Sequence, residues 1–248
     1  MTSSIDNDKI NININKQTVL LIGGFNSDRE EYGDNYYDAF QSFFMLSDEK
    51  YDLEIYTYHT KMNLNSVYEK ITHKLNTQKY DIILAHSTGC CLLTKYLNEI
   101  DDIKHISSKK IVMMMPFICK TLNLQLLSYV PCIQYVHLPK CLIIPNSHLF
   151  DAGNICNDSI HLVNCKQIHQ VITEGFILEE TELLNTLNKN KNVYVIYAEN
   201  ELVSPIPVHI LLQIKQLFIL ENGLHMDFIN ALSSSNFFSI LTKIILQE

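Results

Sequence analysis

Ser87 has the sequence surroundings of a nucleophilic serine. It follows an apolar run at residues 82–84, which is typical of a buried strand, and a segment with helical character follows it. The small residues Ala85 and Gly89 lie two positions before and after it. A sharp turn between a strand and a helix strains the serine backbone and leaves room only for small neighbours. The pattern therefore predicts a hydroxyl group exposed for nucleophilic attack.

A carboxylate and a histidine follow two further predicted strands. The β-branched and aromatic run at residues 192–197 predicts one strand, and Glu199 and Glu201 lie in the loop after it. Residues 216–220 predict another strand, and His225 follows it. A serine hydroxyl needs a base to remove its proton, and imidazole suits that task because its pKa lies near neutrality. An ionised carboxylate would hold the histidine in the required tautomer.

In this order along the chain, the serine, the acid and the histidine resemble the catalytic triad of the α/β-hydrolase family. The resemblance implies that Ser87 is the nucleophile and that His225 is the general base. It also implies that Glu201 is the acid that orients the histidine. Most members of the family use aspartate at this position, so the glutamate is a departure. Glu199 is a second candidate for the acid.

The same resemblance implies an oxyanion site beside the serine. Residues 18–27 look like the third strand and the oxyanion loop of the family, with a glycine pair in place of the His-Gly of many members. The backbone N–H groups of Phe25 and Thr88 would then bind the charge that develops on the carbonyl oxygen. Gly24 is expected to let the substrate approach closely. His86 is expected to line the pocket wall or to support the site from behind.

Strand-like apolar runs alternate with helix-like segments along the chain. The strand candidates lie at residues 18–23, 52–58, 81–86, 110–116, 192–198 and 216–221. The helix candidates lie at residues 34–46, 64–76, 88–99, 205–214 and 226–246. Such alternation predicts an α/β protein with a mostly parallel sheet and helices on both faces. The resemblance covers roughly residues 17–117 and 190–247 and implies the α/β-hydrolase fold.

A long segment at residues 118–191 interrupts this alternation. A plain crossover between parallel strands needs far fewer residues, and the resembling family commonly carries a cap or lid at this point. We therefore predict a core of residues 1–117 and 192–248 with an inserted cap at 118–191. The segment contains many leucines and isoleucines. They could shape an apolar substrate pocket, pack the cap onto the sheet, or do both.

Composition and charge argue against several function classes. The chain has 248 residues, a net charge of −8 and a pI near 5.7, which disfavour nucleic-acid binding and electrostatic attachment to anionic membranes. No apolar run approaches the ~20 residues that span a bilayer. Residues 1–16 lack the basic start and apolar core of a signal peptide. Together with an odd count of seven cysteines, these observations predict a cytoplasmic protein with reduced thiols.

Cysteine and histidine recur with one spacing in the predicted cap. The repeated pattern is Cys132-x4-His137-x3-Cys141 and then Cys156-x4-His161-x3-Cys165, followed by His169. Such residues could hold a structural zinc ion. No C-x2-C pair is present, however, and an acyl-transfer triad needs no metal. We therefore expect packed or partly exposed thiols, and neither a metal nor a cofactor.

These features together predict a serine hydrolase that cleaves a carboxylic ester. A small apolar acyl ester, such as a monoacylglycerol or a similar lipid ester, is the preferred substrate because the predicted cap is apolar. One alternative is a thioesterase, acyltransferase, peptidase or amidase on the same fold. The other is a binding protein that keeps the fold without turnover. That second alternative arises from three departures from the family pattern, at Gly23, Ala85 and Glu201.

Overall fold

A six-stranded parallel sheet forms the centre of the computed structural model of this chain. The structure describes residues 16–24, 27–28, 35–46, 50–100, 110–117, 135, 137–139, 162–164, 166, 169–170, 176, 179–201, 204–226, 228 and 234–247. In this part of the chain, no helix combines the length and the hydrophobicity that crossing a membrane requires.

The described residues contain eight strands and six helices. The strands are β1 (Gln17–Ile22), β2 (Tyr51–Tyr56), β3 (Ile82–His86), β4 (Lys110–Met114), β5 (His137–Pro139), β6 (Leu162–Asn164), β7 (Val193–Ala198) and β8 (Leu217–Leu220). The helices are α1 (Asn35–Met45), α2 (Leu64–Thr77), α3 (Thr88–Glu99), α4 (Glu180–Lys189), α5 (Val208–Leu211) and α6 (Ser234–Leu246). The main sheet has the order β2-β1-β3-β4-β7-β8, while β5 and β6 form a separate antiparallel pair.

Helices cover both faces of the main sheet. The step from β1 to β2 runs across the sheet in the opposite direction to the later steps. Because crossovers between parallel strands are right-handed, α1 lies on one face, and α2, α3 and α4 lie on the other. The contacts agree with this: α3 packs against α2 and α4, whereas Phe40 and Phe43 of α1 make ring contacts with Phe238 of α6. The predicted parallel sheet with helices on both faces is confirmed.

This double cover explains why the central strands are apolar along their whole length. In β3 every residue is buried, and in β1 the last four residues are buried. The edge strands β2 and β8 are only half-buried over most of their length. A strand covered on both faces needs apolar side chains at every position rather than at alternate ones. The carboxyl ends of these strands therefore emerge from a solid core, which can hold the loops that follow them in fixed positions.

The last two helices are shorter than the sequence predicts. The segment predicted at 205–214 is helical only over Val208–Leu211. Its start is delayed because Pro207 adopts an extended ψ of 140° and a proline disfavours a helical conformation in the residue before it. The helix predicted at 226–246 begins at Ser234 instead. Among the described residues that precede it, 225, 226 and 228 lie in turns. His225 thus lies on an irregular loop that packing and hydrogen bonds must hold in place.

Only parts of the predicted cap at 118–191 belong to the described residues. Oε1 of Gln170 accepts the N–H of Leu64 at 2.8 Å, at the start of α2. Further along, α4 packs on α3, where Oγ1 of Thr186 donates to Oδ1 of Asn98 at 3.0 Å. The end of the segment is therefore part of the helical layer on the sheet. The domain boundaries and the cap itself stay predictions.

Candidate active site

Ser87 lies in the turn between β3 and α3 with a strained backbone. Its φ of 52° and ψ of −118° are unusual for a residue with a side chain. Its N–H donates to the carbonyl of Met114 at 3.0 Å, and its own carbonyl accepts from Cys90 at 3.0 Å and from Phe117 at 3.3 Å. These bonds to β4, α3 and the segment after β4 hold the strained residue at the carboxyl edge of the sheet, where open α/β sheets bind their ligands.

Two glycines allow the backbone to pack closely around this turn. A Cβ atom at Gly89 would lie 2.6 Å from the carbonyl oxygen of Ile22, so only glycine lets α3 start against the end of β1. A Cβ atom at Gly24 would lie 2.9 Å from Cβ of Ser87 and 3.0 Å from Nδ1 of His86. Gly24 therefore lies directly against the predicted nucleophile. Its predicted contact with substrate stays a prediction.

Glu201 and His225 form a buried hydrogen-bonded pair. Nδ1 of His225 lies 2.7 Å from Oε2 of Glu201, and the side chains of His225 and Glu201 are 7% and 1% exposed. The other carboxylate oxygen, Oε1, accepts the N–H of Ser204 at 3.0 Å. A carboxylate only accepts, so the proton of the neutral imidazole resides on Nδ1. The lone pair of Nε2 is then left to act as a base.

The second candidate acid, Glu199, has a different partner. Its Oε2 accepts the N–H of Asn222 at 2.7 Å, in a turn where Asn222 has a φ of 53°. Glu199 is exposed, whereas Glu201 is buried. The carboxylate that contacts His225 is therefore that of Glu201. Glu199 instead stabilises the turn that leads to the histidine.

His86 supports the loop of His225 from inside the protein. Its Nε2 lies 3.3 Å from the carbonyl oxygen of His225, and the two ring centroids are 4.9 Å apart. The ring of Phe228 meets His86 edge-on at 4.9 Å. Burial lowers the pKa of His86 well below its ordinary value, and the neighbouring His225 lowers it further. The ring is therefore neutral at pH 7 and donates from Nε2. These contacts fit the supporting role better than a place in the pocket wall.

Thr88 is the first residue of α3. Its N–H therefore has no partner within the helix, and the positive end of the helix dipole favours an anion beside it. Its Oγ1 lies 2.8 Å from the hydroxyl of Tyr58 in a buried contact. Phe25, the other predicted oxyanion donor, lies outside the described residues. For Tyr58 the sequence carries no signal beyond its place at the end of a predicted strand.

The thiol of Cys90, close to the site, is a poor nucleophile. Cys90 and Cys91 carry reduced thiols that are buried in the first turn of α3. Burial raises the pKa of the Cys90 thiol well above its usual range, so it stays protonated.

Most residues of the alternative zinc site lie outside the described part of the chain. Those outside the described residues are Cys132, Cys141, Cys156, His161 and Cys165. Within the described ranges, no group of three or more histidine, cysteine, aspartate or glutamate residues could hold a metal ion.

The proposed triad positions follow three strands of the same sheet. Ser87 follows β3, Glu201 follows β7 and His225 follows β8, all at the carboxyl edge. His86 links Ser87 to His225, because it is the chain neighbour of Ser87 and contacts His225. The carboxyl edge of the sheet thus carries both a serine on a strained turn and an acid–histidine pair. This is the set of groups that nucleophilic acyl transfer requires.

Known structures share this architecture across almost the whole chain. The ydeN gene product of B. subtilis matches with a TM-score of 0.54 at 11% identity, covering 94% of this chain and 100% of its own. An esterase domain of a Rhodothermus marinus protein matches with a TM-score of 0.52 at 9% identity, covering 94% and 88%. Carboxyl esterase 2 of the fungus Tuber melanosporum matches with a TM-score of 0.51 at 12% identity, covering 95% and 76%.

Sequence comparison adds no further relative. No family model and no curated protein matches the chain. Identities as low as these show the fold alone. Together with the sheet order, they establish that the chain has the α/β-hydrolase fold that its sequence predicts.

Proposed function

We propose that this protein is a serine hydrolase that cleaves a carboxylic ester through an acyl-enzyme on Ser87. The observation that carries the proposal is the buried Glu201–His225 pair at 2.7 Å, in contact with the segment that holds Ser87. A buried carboxylate that fixes an imidazole is the device that turns a weakly nucleophilic hydroxyl into a reactive one.

The proposed reaction begins when Nε2 of His225 takes the proton of the Ser87 hydroxyl. The Ser87 oxygen attacks the acyl carbonyl carbon, and Glu201 stabilises the imidazolium that forms. The N–H groups of Thr88 and Phe25 bind the oxyanion. His225 then gives its proton to the leaving alcohol oxygen as the ester bond breaks. Water repeats the sequence on the acyl-enzyme, which releases the acid and restores the serine.

Two observations favour an apolar ester as the substrate. Two of the similar structures described above are an esterase domain and a carboxyl esterase. The segment at 118–191 is also rich in leucine and isoleucine, which suits an acyl chain better than a charged group. We therefore propose a lipid ester such as a monoacylglycerol as the substrate class.

Matched substrates and one pair of serine variants test this function. Wild-type protein is expected to hydrolyse a medium-chain acyl ester faster than the thioester or amide of the same acid. Ser87→Ala is expected to lose this activity, because the proposed acyl-enzyme forms on the hydroxyl that this substitution removes. Ser239→Ala is the control, since Ser239 is exposed on α6. Full ester hydrolysis by Ser87→Ala would refute the assignment. Faster turnover of the thioester or amide would show that the substrate class is not a carboxylic ester, and the acyl-enzyme mechanism on Ser87 would stand.

A further inference from the structure

Tyr58 places a buried hydroxyl against the residue that follows Ser87. It lies two residues beyond the end of β2, at the carboxyl edge of the sheet, and is 1% exposed. Its hydroxyl lies 2.8 Å from Oγ1 of Thr88. Phenylalanine would fill nearly the same space without a polar atom, and an unpaired buried hydroxyl costs free energy. The contact with Thr88 satisfies this hydroxyl and ties the loop after β2 to the start of α3.

Thr88 occupies a position where orientation matters for acyl transfer. Its N–H is one of the amides that the helix leaves unpaired. Because Ser87 before it has a strained backbone, a small rotation of the peptide between them would redirect this N–H. Cys90 and Phe117 already hold the carbonyl of Ser87. The hydroxyl of Tyr58 adds the contact that holds the side chain of Thr88.

We infer that Tyr58 is a positioning residue for the oxyanion site: by binding Oγ1 of Thr88, it keeps the Thr88 N–H aimed at the developing oxyanion. The inference rests on the serine-hydrolase function proposed above. Tyr58 acts only through Thr88 and does not touch the reacting atoms in this role. Burial raises the pKa of Tyr58, so its hydroxyl keeps its proton at neutral and mildly alkaline pH.

A pair of tyrosine variants tests this role with ester kinetics. Tyr58→Phe removes only the hydroxyl and is expected to lower kcat about tenfold, less than the roughly 10²–10³-fold typical of losing a direct donor. KM should stay within about twofold, because the contact matters in the transition state. Tyr96→Phe is the matched control: Tyr96 is also buried, and its hydroxyl donates to Asn76 at 2.8 Å. It lies about two turns along α3 from Thr88, so its kcat should match that of wild type.

Inhibitor binding separates positioning from a general loss of structure. A boronic acid that forms a tetrahedral adduct with the serine should bind Tyr58→Phe about tenfold more weakly, in step with kcat. A non-hydrolysable amide analogue of the substrate should bind both tyrosine variants as it binds wild type. A merely structural role would weaken the binding of both ligands together.

Variants at Thr88 give an independent test should Tyr58→Phe fold poorly. Thr88→Val keeps the backbone N–H and removes the hydroxyl, so its kcat should fall as far as that of Tyr58→Phe. Thr88→Ser keeps a hydroxyl and should lose less kcat than Thr88→Val. The double variant Tyr58→Phe/Thr88→Val should be no slower than either single variant, because both remove one hydrogen bond.

The outcomes distinguish this inference from the function on which it rests. If wild type hydrolyses esters and Tyr58→Phe has the same kcat as Tyr96→Phe, the positioning role is wrong and the proposed function stands. The positioning role is also wrong if the kcat losses of Tyr58→Phe and Thr88→Val multiply in the double variant. If wild type hydrolyses neither the ester nor the matched thioester or amide, or if Ser87→Ala keeps the activity, the proposed function falls and the inference falls with it.

Discussion

The contact between Glu201 and His225 makes the sharpest prediction about activity. Glu201→Gln keeps the shape of the side chain and removes its charge. In the reaction the carboxylate faces an imidazolium, and two unit charges about 4 Å apart attract by about 4 kcal/mol at an effective dielectric constant of about 20. The side chain of Glu201 is only 1% exposed, so water screens this attraction little. Losing it should lower kcat about a thousandfold.

A second effect of this substitution acts in the same direction. The glutamine side chain can offer N–H to Nδ1 of His225, which would place the imidazole proton on Nε2 and remove the base. The amide oxygen of the introduced glutamine can still accept the N–H of Ser204, so the loop should keep its structure. The thermal midpoint should therefore change far less than the activity.

Glu199→Gln provides the matched control in the same loop. Its side-chain oxygen can still accept the N–H of Asn222, so kcat should stay within about threefold of wild type. Steady-state ester hydrolysis by the two variants measures both effects. If Glu201→Gln lost less than about tenfold, or if Glu199→Gln lost as much as Glu201→Gln, the assignment of the acid would be wrong.

Three further substitutions probe the packing around the site. His86 is neutral when folded but takes up a proton below its ordinary pKa of 6.5 once unfolded, so the free energy of unfolding should fall as the pH drops from 6.5 to about 5. His86→Gln keeps a donor for the carbonyl of His225. It should make the free energy of unfolding depend less on pH in this range, as measured by thermal unfolding at several pH values. Gly24→Ala would push a Cβ atom against Ser87 and His86 and should lower kcat/KM about a hundredfold in steady-state kinetics. Gly89→Ala would meet the backbone of β1 and should lower the thermal midpoint by roughly 5 °C in calorimetry.

A specific result would contradict each of these three expectations. His73→Gln is the control for the pH dependence of stability, because His73 is an exposed histidine. A slope that persists in His86→Gln would show that other groups set the acid sensitivity. A kcat/KM of Gly24→Ala equal to that of wild type would mean that the positions of Ser87 and His86 do not depend on the absence of a side chain at Gly24. An unchanged thermal midpoint in Gly89→Ala would contradict the close approach of α3 to β1.

The sequence could predict the central sheet because burial on both faces leaves a strong pattern. Strands such as β3 and β4 are apolar at consecutive positions, whereas an amphipathic helix places apolar residues only every three or four positions. The start of α6 is harder to predict, because Phe228 extends the apolar pattern of this helix toward the N-terminus. In the structure Phe228 precedes the helix and packs against Phe40 and Phe237. An apolar residue in a turn can thus make a predicted helix begin earlier than the helix in the structure.

Parts of the candidate site depend on contacts between distant segments. Glu199 and Glu201 both lie in the loop after β7, and sequence alone leaves the choice between them open. Their partners differ because one reaches the turn at Asn222 and the other reaches His225. The sequence does carry a signal for an interior His86, since it ends a strand that is apolar at consecutive positions and such strands are covered on both faces. Tyr58 carries no comparable signal, because its partner lies thirty positions away in another element.

Mapping the site of covalent modification tests the central claim most directly. After treatment with a fluorophosphonate, the intact protein should gain the mass of one adduct, and digestion with trypsin should place it on the peptide of residues 80–95, at Ser87. Ser87→Ala should gain no mass under the same conditions. An adduct on another residue, or equal labelling of Ser87→Ala, would show that Glu201 and His225 do not activate this serine.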